Sequence, residues 1–170
     1  MATYEQESET HVYFYGGGFS NFAYCPSGVA VAIGDELIAF RTSEHAFMAL
    51  KAHEFGDKDA IEELKEATRP SDARNIGRNI RGFDNNRWIA VRYDAMKAAL
   101  LAKFSQNDNH KESLLGTGDK VLVEASPHDR VWGVGREIGD RRLYSEKTWR
   151  GQNLLGQCLM EVRDIIRQTA

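Results

Sequence analysis

Two apolar runs, Val29 to Ile33 and Leu37 to Phe40, meet across Gly34-Asp35, and only Arg41 and Thr42 separate the second run from Ser43-Glu44-His45-Ala46-Phe47-Met48-Ala49-Leu50-Lys51. Short apolar runs around a Gly-Asp pair read as a β-hairpin. The Ala, Leu, Met and Lys content that follows reads as a helix, with Ser43 as the expected N-cap. A chain that changes period this abruptly must place a helix start at the mouth of a hairpin. Glu44 is therefore expected at a strand-to-helix junction, a common place for functional groups.

At helical spacing Glu44, Phe47, Met48 and Lys51 share one stripe, and Ala46, Ala49 and Leu50 serve the packed side. The stripe puts a carboxylate beside the positive end of the helix dipole and an ammonium two turns along. Two readings stay open: a dipole-complementing Glu with a solvated Lys, or an acid and a base serving a site.

The remaining elements can be placed in order. Val12 to Tyr15 reads as a short aromatic strand, ended by Gly16-Gly17-Gly18. Asp57 is expected to cap a second helix whose face carries Ala60, Ile61, Leu64 and Ala67, with Pro70 stopping it. Ser71 opens a short third helix ending near Gly77. Asp84 or Asn85 caps the longest helix, to about Phe104, where apolar residues cover so wide an arc that burial in the middle of the domain is expected. A short helix closes at Leu114-Leu115-Gly116, Val121 to Val123 is a strand, and Gln152 to Gln168 is a last helix with Leu155, Leu159, Val162 and Ile166 as its core face. The expected class is α+β: a single, mainly helical domain over residues 1–170 with a small antiparallel sheet and a flexible N-terminus over residues 1–11.

Charge and motifs narrow the function. A net charge of -3 disfavours a nucleic-acid coating protein, although residues 69–92 hold Arg69, Arg74, Arg78, Arg81, Arg87 and Arg92 against only two acids. Two cysteines, Cys25 and Cys158, make no disulfide framework, and the polar, acidic first residues lack the regions of a signal peptide, so a cytoplasmic protein with no membrane span is expected. Gly133-x-Gly135 with Gly139 has the wrong spacing for a dinucleotide loop, no Walker A sequence is present, and no His/Cys spacing suits zinc. Acids, tryptophans and arginines are left: Glu44, Asp129, Trp88, Trp132 and Arg78.

That set suits cleavage of a sugar–nitrogen bond. The oxocarbenium-like transition state wants a carboxylate, and a carboxylate can also activate water. A departing aromatic base wants a flat side chain to stack on, and phosphates want arginine or lysine. Each residue also has a structural reading: Trp88 as core, Trp132 as buried or stacking, Asp129 as a turn cap.

The chain resembles the NADAR (YbiA-like) family through an ordered series of matches. They are Phe19-Ser20-Asn21-Phe22; Thr42-Ser43-Glu44-His45-x-Phe47 with Lys51; the Pro70 to Arg78 segment; Trp88; and Ala102-Lys103-Phe104-x-Gln106-Asn107. Leu114-Leu115-x-Thr117-Gly118, Leu122-Val123-Glu124-Ala125, Asp129-x-x-Trp132-Gly133-x-Gly135 and Gly151-x-Asn153-x-Leu155-Gly156 complete the series. The resemblance implies an N-glycosidase on a compact α+β domain without metal or redox cofactor. Family activities fall into two groups: hydrolysis of phosphorylated ribosylamino-pyrimidine intermediates of riboflavin synthesis, and removal of ADP-ribose from modified guanine in DNA, which pairs the enzyme with an ADP-ribosyltransferase. By the family pattern Glu44 is the catalytic acid residue with Asp129 and Trp132 beside it, and Lys51, Arg78, Trp88, Asn153, Asn21 and Phe22 bind substrate. Ala46 and Met48 stand where many members carry an aromatic residue and a Gln, which either opens the pocket to a bulkier substrate or changes specificity. The small Ala46, the local arginine excess and the acidic balance direct the expectation to ADP-ribosyl-guanine. The ribosylamino-pyrimidine phosphate and a non-catalytic ADP-ribose or nucleotide-binding module are the alternatives.

Overall fold

The computed structural model describes residues 4–169. The chain divides into two compact units: a flanking unit of the residues up to Ser20 and from Glu112 on, and an inserted unit of Asn21–Lys111. Among the described residues no helix is long and apolar enough to cross a membrane.

The flanking unit is built on a three-stranded sheet of order β1 (Tyr4–Glu7), β2 (His11–Tyr15) and β5 (Val121–Glu124). β1 runs antiparallel to β2, with Glu7 opposite Val12, so the segment expected to be a flexible N-terminus contributes a strand, while Met1–Thr3 lie outside the described residues. β2 and β5 pair in parallel, Val12 opposite Leu122 and Tyr13 opposite Val123, where an antiparallel sheet was expected. Parallel neighbours need a long crossover, and the whole inserted segment lies between these two strands in the sequence.

Alternation sends Tyr13 and Val123 to one face, where they pack with Ala125, Val134 and Leu143. Val12, Phe14 and Leu122 go to the other face and are equally buried. Helix α6 (Leu154–Thr169) packs along β5 and buries Leu155, Leu159, Val162 and Ile166, the face its spacing predicts. Arg163 on the same helix is buried and donates to the Thr117 hydroxyl at 2.8 Å and the Lys120 carbonyl at 2.9 Å.

In the inserted unit β3 (Val29–Ile33) and β4 (Glu36–Phe40) form the expected antiparallel hairpin, Val29 opposite Phe40 and Ile33 opposite Glu36. Helices α1 (Ser43–Glu54), α2 (Lys58–Glu66), α3 (Pro70–Arg78) and α4 (Asn85–Gln106) follow. Helix α5 (Asp108–Gly116) then carries the chain back to the flanking unit.

Helix α1 is the hub, packed on α2, α3, α4 and both hairpin strands, and every residue from Ser43 to Ala49 is buried. Its two faces are therefore both interior, and the stripe of Glu44, Phe47 and Met48 is not a solvated one. The N-cap is Thr42, whose hydroxyl accepts from the His45 amide at 3.4 Å, and Ser43 is the first helical residue. Pro70 begins α3 at its first turn, where its missing N–H costs no hydrogen bond. The N-terminal half of α4 is largely exposed, Ile89 at 48%, so this helix is buried along one side and towards its end, not through its length.

The edge of β3 and the residues leading into it are met by two amide side chains. Gln106 accepts from the Ala30 amide at 2.7 Å and donates to its carbonyl at 3.0 Å, in the manner of a strand neighbour of β3. Asn107 does the same at Ser27 and Gly28. Ladder positions occupied in this way are closed to a second chain.

Candidate active site

Glu44 lies in the first turn of α1 and is only 6% exposed. The preceding chain sets its position. The Glu44 amide donates to the Asn21 carbonyl at 3.0 Å, and the Ser43 hydroxyl donates to the Asn21 side-chain oxygen at 3.0 Å. The Asn21 amide nitrogen in turn contacts the Met96 sulfur at 3.1 Å. With both ends of its side chain engaged inside the protein, Asn21 fixes the start of α1.

His45, next to Glu44, is fully buried. Its Nδ1 meets the Thr42 hydroxyl at 2.8 Å and its Nε2 meets the Ala67 carbonyl at 3.2 Å, which ties the start of α1 to the end of α2. Burial lowers its pKa, so the ring is neutral at ordinary pH.

The cation beside Glu44 is Arg74. Its Nε lies 3.6 Å from Glu44 Oε1, and its guanidinium sits 4.4 Å from the centre of the Phe22 ring. Arg78, expected as a substrate-binding residue, stands exposed at the last turn of α3. Arg74 was readable only as one arginine among six; the signal was its position one turn before Arg78 on the same helix face.

Lys51, expected among the substrate-binding residues, has partners within the fold. Its ammonium donates to the Gly77 carbonyl at 2.8 Å and lies 4.5 Å from the Phe83 ring centre and 5.4 Å from that of Trp88. Burial lowers its pKa, opposed by the negative charge of Glu44. Trp88, expected as a pocket residue, is 8% exposed and tilted onto Phe47 at 5.3 Å. It is a core residue that supports Lys51.

In the flanking unit the loop after β5 carries the other predicted residues. Asp129 Oδ1 accepts from the Val131 and Trp132 amides at 2.9 and 2.8 Å, a side-chain-closed turn. Among the described residues Oδ2 accepts no hydrogen bond. The Trp132 carbonyl accepts from the Leu155 amide at 3.1 Å and the Val131 carbonyl from the Leu154 amide at 3.2 Å. Donors that a helix leaves unsatisfied at its start are thus used to pin the loop. Half-buried Trp132 is therefore held by its backbone on both sides.

Asn153, expected as a pocket residue, is 3% exposed and sits at φ 55°, a left-handed conformation that Asn tolerates. Its side chain accepts from the Glu124 amide at 3.0 Å and donates to the Leu122 carbonyl at 2.9 Å. It closes the free edge of β5 and positions the loop. Gly151 and Gly156 allow the same close approach: a Cβ at either would lie 2.2 Å from the Gly133 carbonyl oxygen or 2.0 Å from that of Leu122.

The inserted unit thus gathers Asn21, Phe22, Glu44 and Arg74 at the start of α1, with Lys51 and Trp88 further along it. The flanking unit gathers Asp129, Trp132 and Asn153 around one loop.

Comparison with known proteins places this arrangement. A family model described as the NADAR domain matches residues 8–167. N-glycosidase R617 of Acanthamoeba polyphaga mimivirus is 35% identical over 131 residues, covering 77% of either chain. The Zea mays riboflavin biosynthesis protein PYRR, chloroplastic, is 36% identical over 163 residues, which span 90% of this chain and 24% of that protein. The NMR structure of the E. coli protein YbiA is similar with a TM-score of 0.71 at 30% identity, covering 96% of this chain and 89% of that one.

Proposed function

The chain belongs to the NADAR domain family, and from that membership we propose that it is an N-glycosidase hydrolysing the bond between the anomeric carbon of a phosphorylated ribosyl group and the nitrogen that joins it to a heteroaromatic base. The observation that carries this reading is Glu44: a buried carboxylate in the first turn of the hub helix, with a guanidinium 3.6 Å away. A carboxylate there can take the proton of the attacking water and stabilise positive charge on the sugar. Water adds its oxygen to the anomeric carbon, the C–N bond breaks, and the proton reaches the departing nitrogen.

Asp129 is assigned to a ribose hydroxyl through Oδ2, because Oδ1 is spent on the turn. Trp132 is assigned to stacking on the base, a role for which its pinned backbone suits it.

For the substrate, a phosphorylated ribosylamino-pyrimidine is favoured by the similarity to a protein named for riboflavin biosynthesis. Two of the features that pointed to ADP-ribosyl-guanine lose their force. Ala46 is fully buried, so its small size opens no pocket, and Arg69, Arg81 and Arg87 of the basic stretch are bound to Asp72, Asp57 and Glu54. One observation supports ADP-ribosyl-guanine as the second reading: Arg74 and Arg78 stand four residues apart on α3 without hydrogen bonds among the described residues, two cations for two phosphates. In that case the enzyme would oppose an ADP-ribosyltransferase.

The deciding experiment compares kcat/KM on the two substrates and identifies the released base by mass. A preference for the pyrimidine phosphate is expected. A preference for ADP-ribosylated DNA transfers the assignment, and cleavage of neither overturns the N-glycosidase reading.

A further inference from the structure

We propose that Arg74 is the residue that reads the substrate phosphate and so determines specificity; this rests on the N-glycosidase reading above. Arg74 differs from the other arginines around it in what its donors do. Arg69 makes two hydrogen bonds to Asp72, Arg81 binds Asp57 and Asp59, and Arg87 binds Glu54. Arg74 makes no hydrogen bond among the described residues, and its contact with Glu44 runs through Nε at 3.6 Å, beyond hydrogen-bond range.

Its orientation is nevertheless fixed. The guanidinium rests over the Phe22 ring at 4.4 Å, and the side chain is 48% exposed, with the Glu44 carboxylate on one edge. A planar cation held by stacking and a counter-charge, with its terminal N–H fork uncommitted, is a ready partner for a phosphate dianion, which the fork can grip with two parallel hydrogen bonds. Little side-chain freedom is then lost on binding.

The alternative cation, Lys51, does not have this freedom. Its ammonium is committed to the Gly77 carbonyl and lies against two aromatic rings. Placement matters as much as charge. A phosphate held beside Glu44 anchors the ribose ring next to that carboxylate, so binding energy from the phosphate can be used at the anomeric carbon across the ring.

The test is a cycle of two enzymes and two substrates: wild type and Arg74→Ala, each with a ribosyl N-glycoside bearing a 5′-phosphate and with the same glycoside lacking it. In wild type the phosphate is expected to raise kcat/KM, and Arg74→Ala should reduce that advantage by about 10- to 100-fold, the worth of a charge-assisted hydrogen bond. Arg74→Lys should recover part of it through KM. Arg69→Ala, a charge of the same helix already bound to Asp72, should leave it unchanged. Binding of ribose 5-phosphate measured calorimetrically provides a readout without turnover, and Arg74→Ala should weaken it by a similar factor.

If wild type cleaves neither glycoside but loses ribose 5-phosphate affinity on Arg74→Ala, the phosphate assignment stands and the glycosidase reading falls. If the phosphate advantage and ribose 5-phosphate binding are the same in wild type and Arg74→Ala, or wild type shows neither, the Arg74 proposal is overturned.

Discussion

Gly156→Ala sets two physical effects against each other with opposite signs. By helix propensity alone, alanine in α6 should stabilise by up to about 1 kcal/mol. The tertiary structure opposes this, because the added Cβ would lie 2.0 Å from the Leu122 carbonyl oxygen and 2.5 and 2.7 Å from the two polar atoms of the Asn153 amide. Since real Cβ contacts essentially never fall under 3.0 Å, α6 must retreat from β5 by about 1 Å. Overpacking of this kind costs about 1–3 kcal/mol. The same retreat stretches the two buried hydrogen bonds from Asn153 to β5, each worth about 0.5–1.5 kcal/mol. The net expectation, with the propensity gain subtracted, is a destabilisation of about 1–5 kcal/mol. Urea unfolding followed by circular dichroism should show a lower midpoint with an unchanged slope. A midpoint equal to or above that of the native protein would refute the close-approach account of Gly156.

Glu44→Gln keeps the shape of the side chain and removes its charge, so the rate should fall by about 10²–10⁴. Its partner Arg74 is half exposed, so stability should change by no more than about 1 kcal/mol; a variant that is fully active, or unfolded, contradicts the assigned role. Asp57→Asn keeps a competent N-cap for α2 but breaks the ion pair to Arg81 that, with the Arg81 amide, lowers the Asp57 pKa to about 2. A carboxyl with a lowered folded pKa adds stability above its unfolded value and loses it as pH falls through the folded one. The gap between native and variant should therefore be about 1–2 kcal/mol at pH 6, allowing for the exposed Arg81, and should close between about pH 4 and pH 2. Unfolding midpoints of the two proteins that stay equally far apart at pH 2.5 and pH 6 would exclude this pair as the cause.

Local chemistry placed most elements. The hairpin at Val29 to Phe40 follows from two apolar runs around Gly34-Asp35, and the starts of α2 and α4 follow from Asp57 and Asp84, which do cap them. β1 was not legible, since Tyr4–Glu7 is polar and acidic and becomes a strand only by pairing with β2. Within the candidate site, the residue types alone marked Glu44 as the acid to watch. Asn21, Trp88 and Asn153 have donors, acceptors or ring faces engaged within the fold. Gln106 and Asn107 repeat the pattern at β3. A sequence cannot show whether an amide faces a ligand or a strand edge, because the two uses need the same atoms.

Period, capping and turn residues act over a few positions, so the chain alone determined its helices, its hairpin and a carboxylate at a helix start. Which arginine meets that carboxylate depends on how α3 packs against α1, and there Gly77 lets the Met48 side chain approach to a distance no added Cβ would permit. The pairing of Arg74 with Glu44, and the choice of parallel over antiparallel pairing for β5, are made by contacts between residues far apart in sequence, which only the folded molecule brings together.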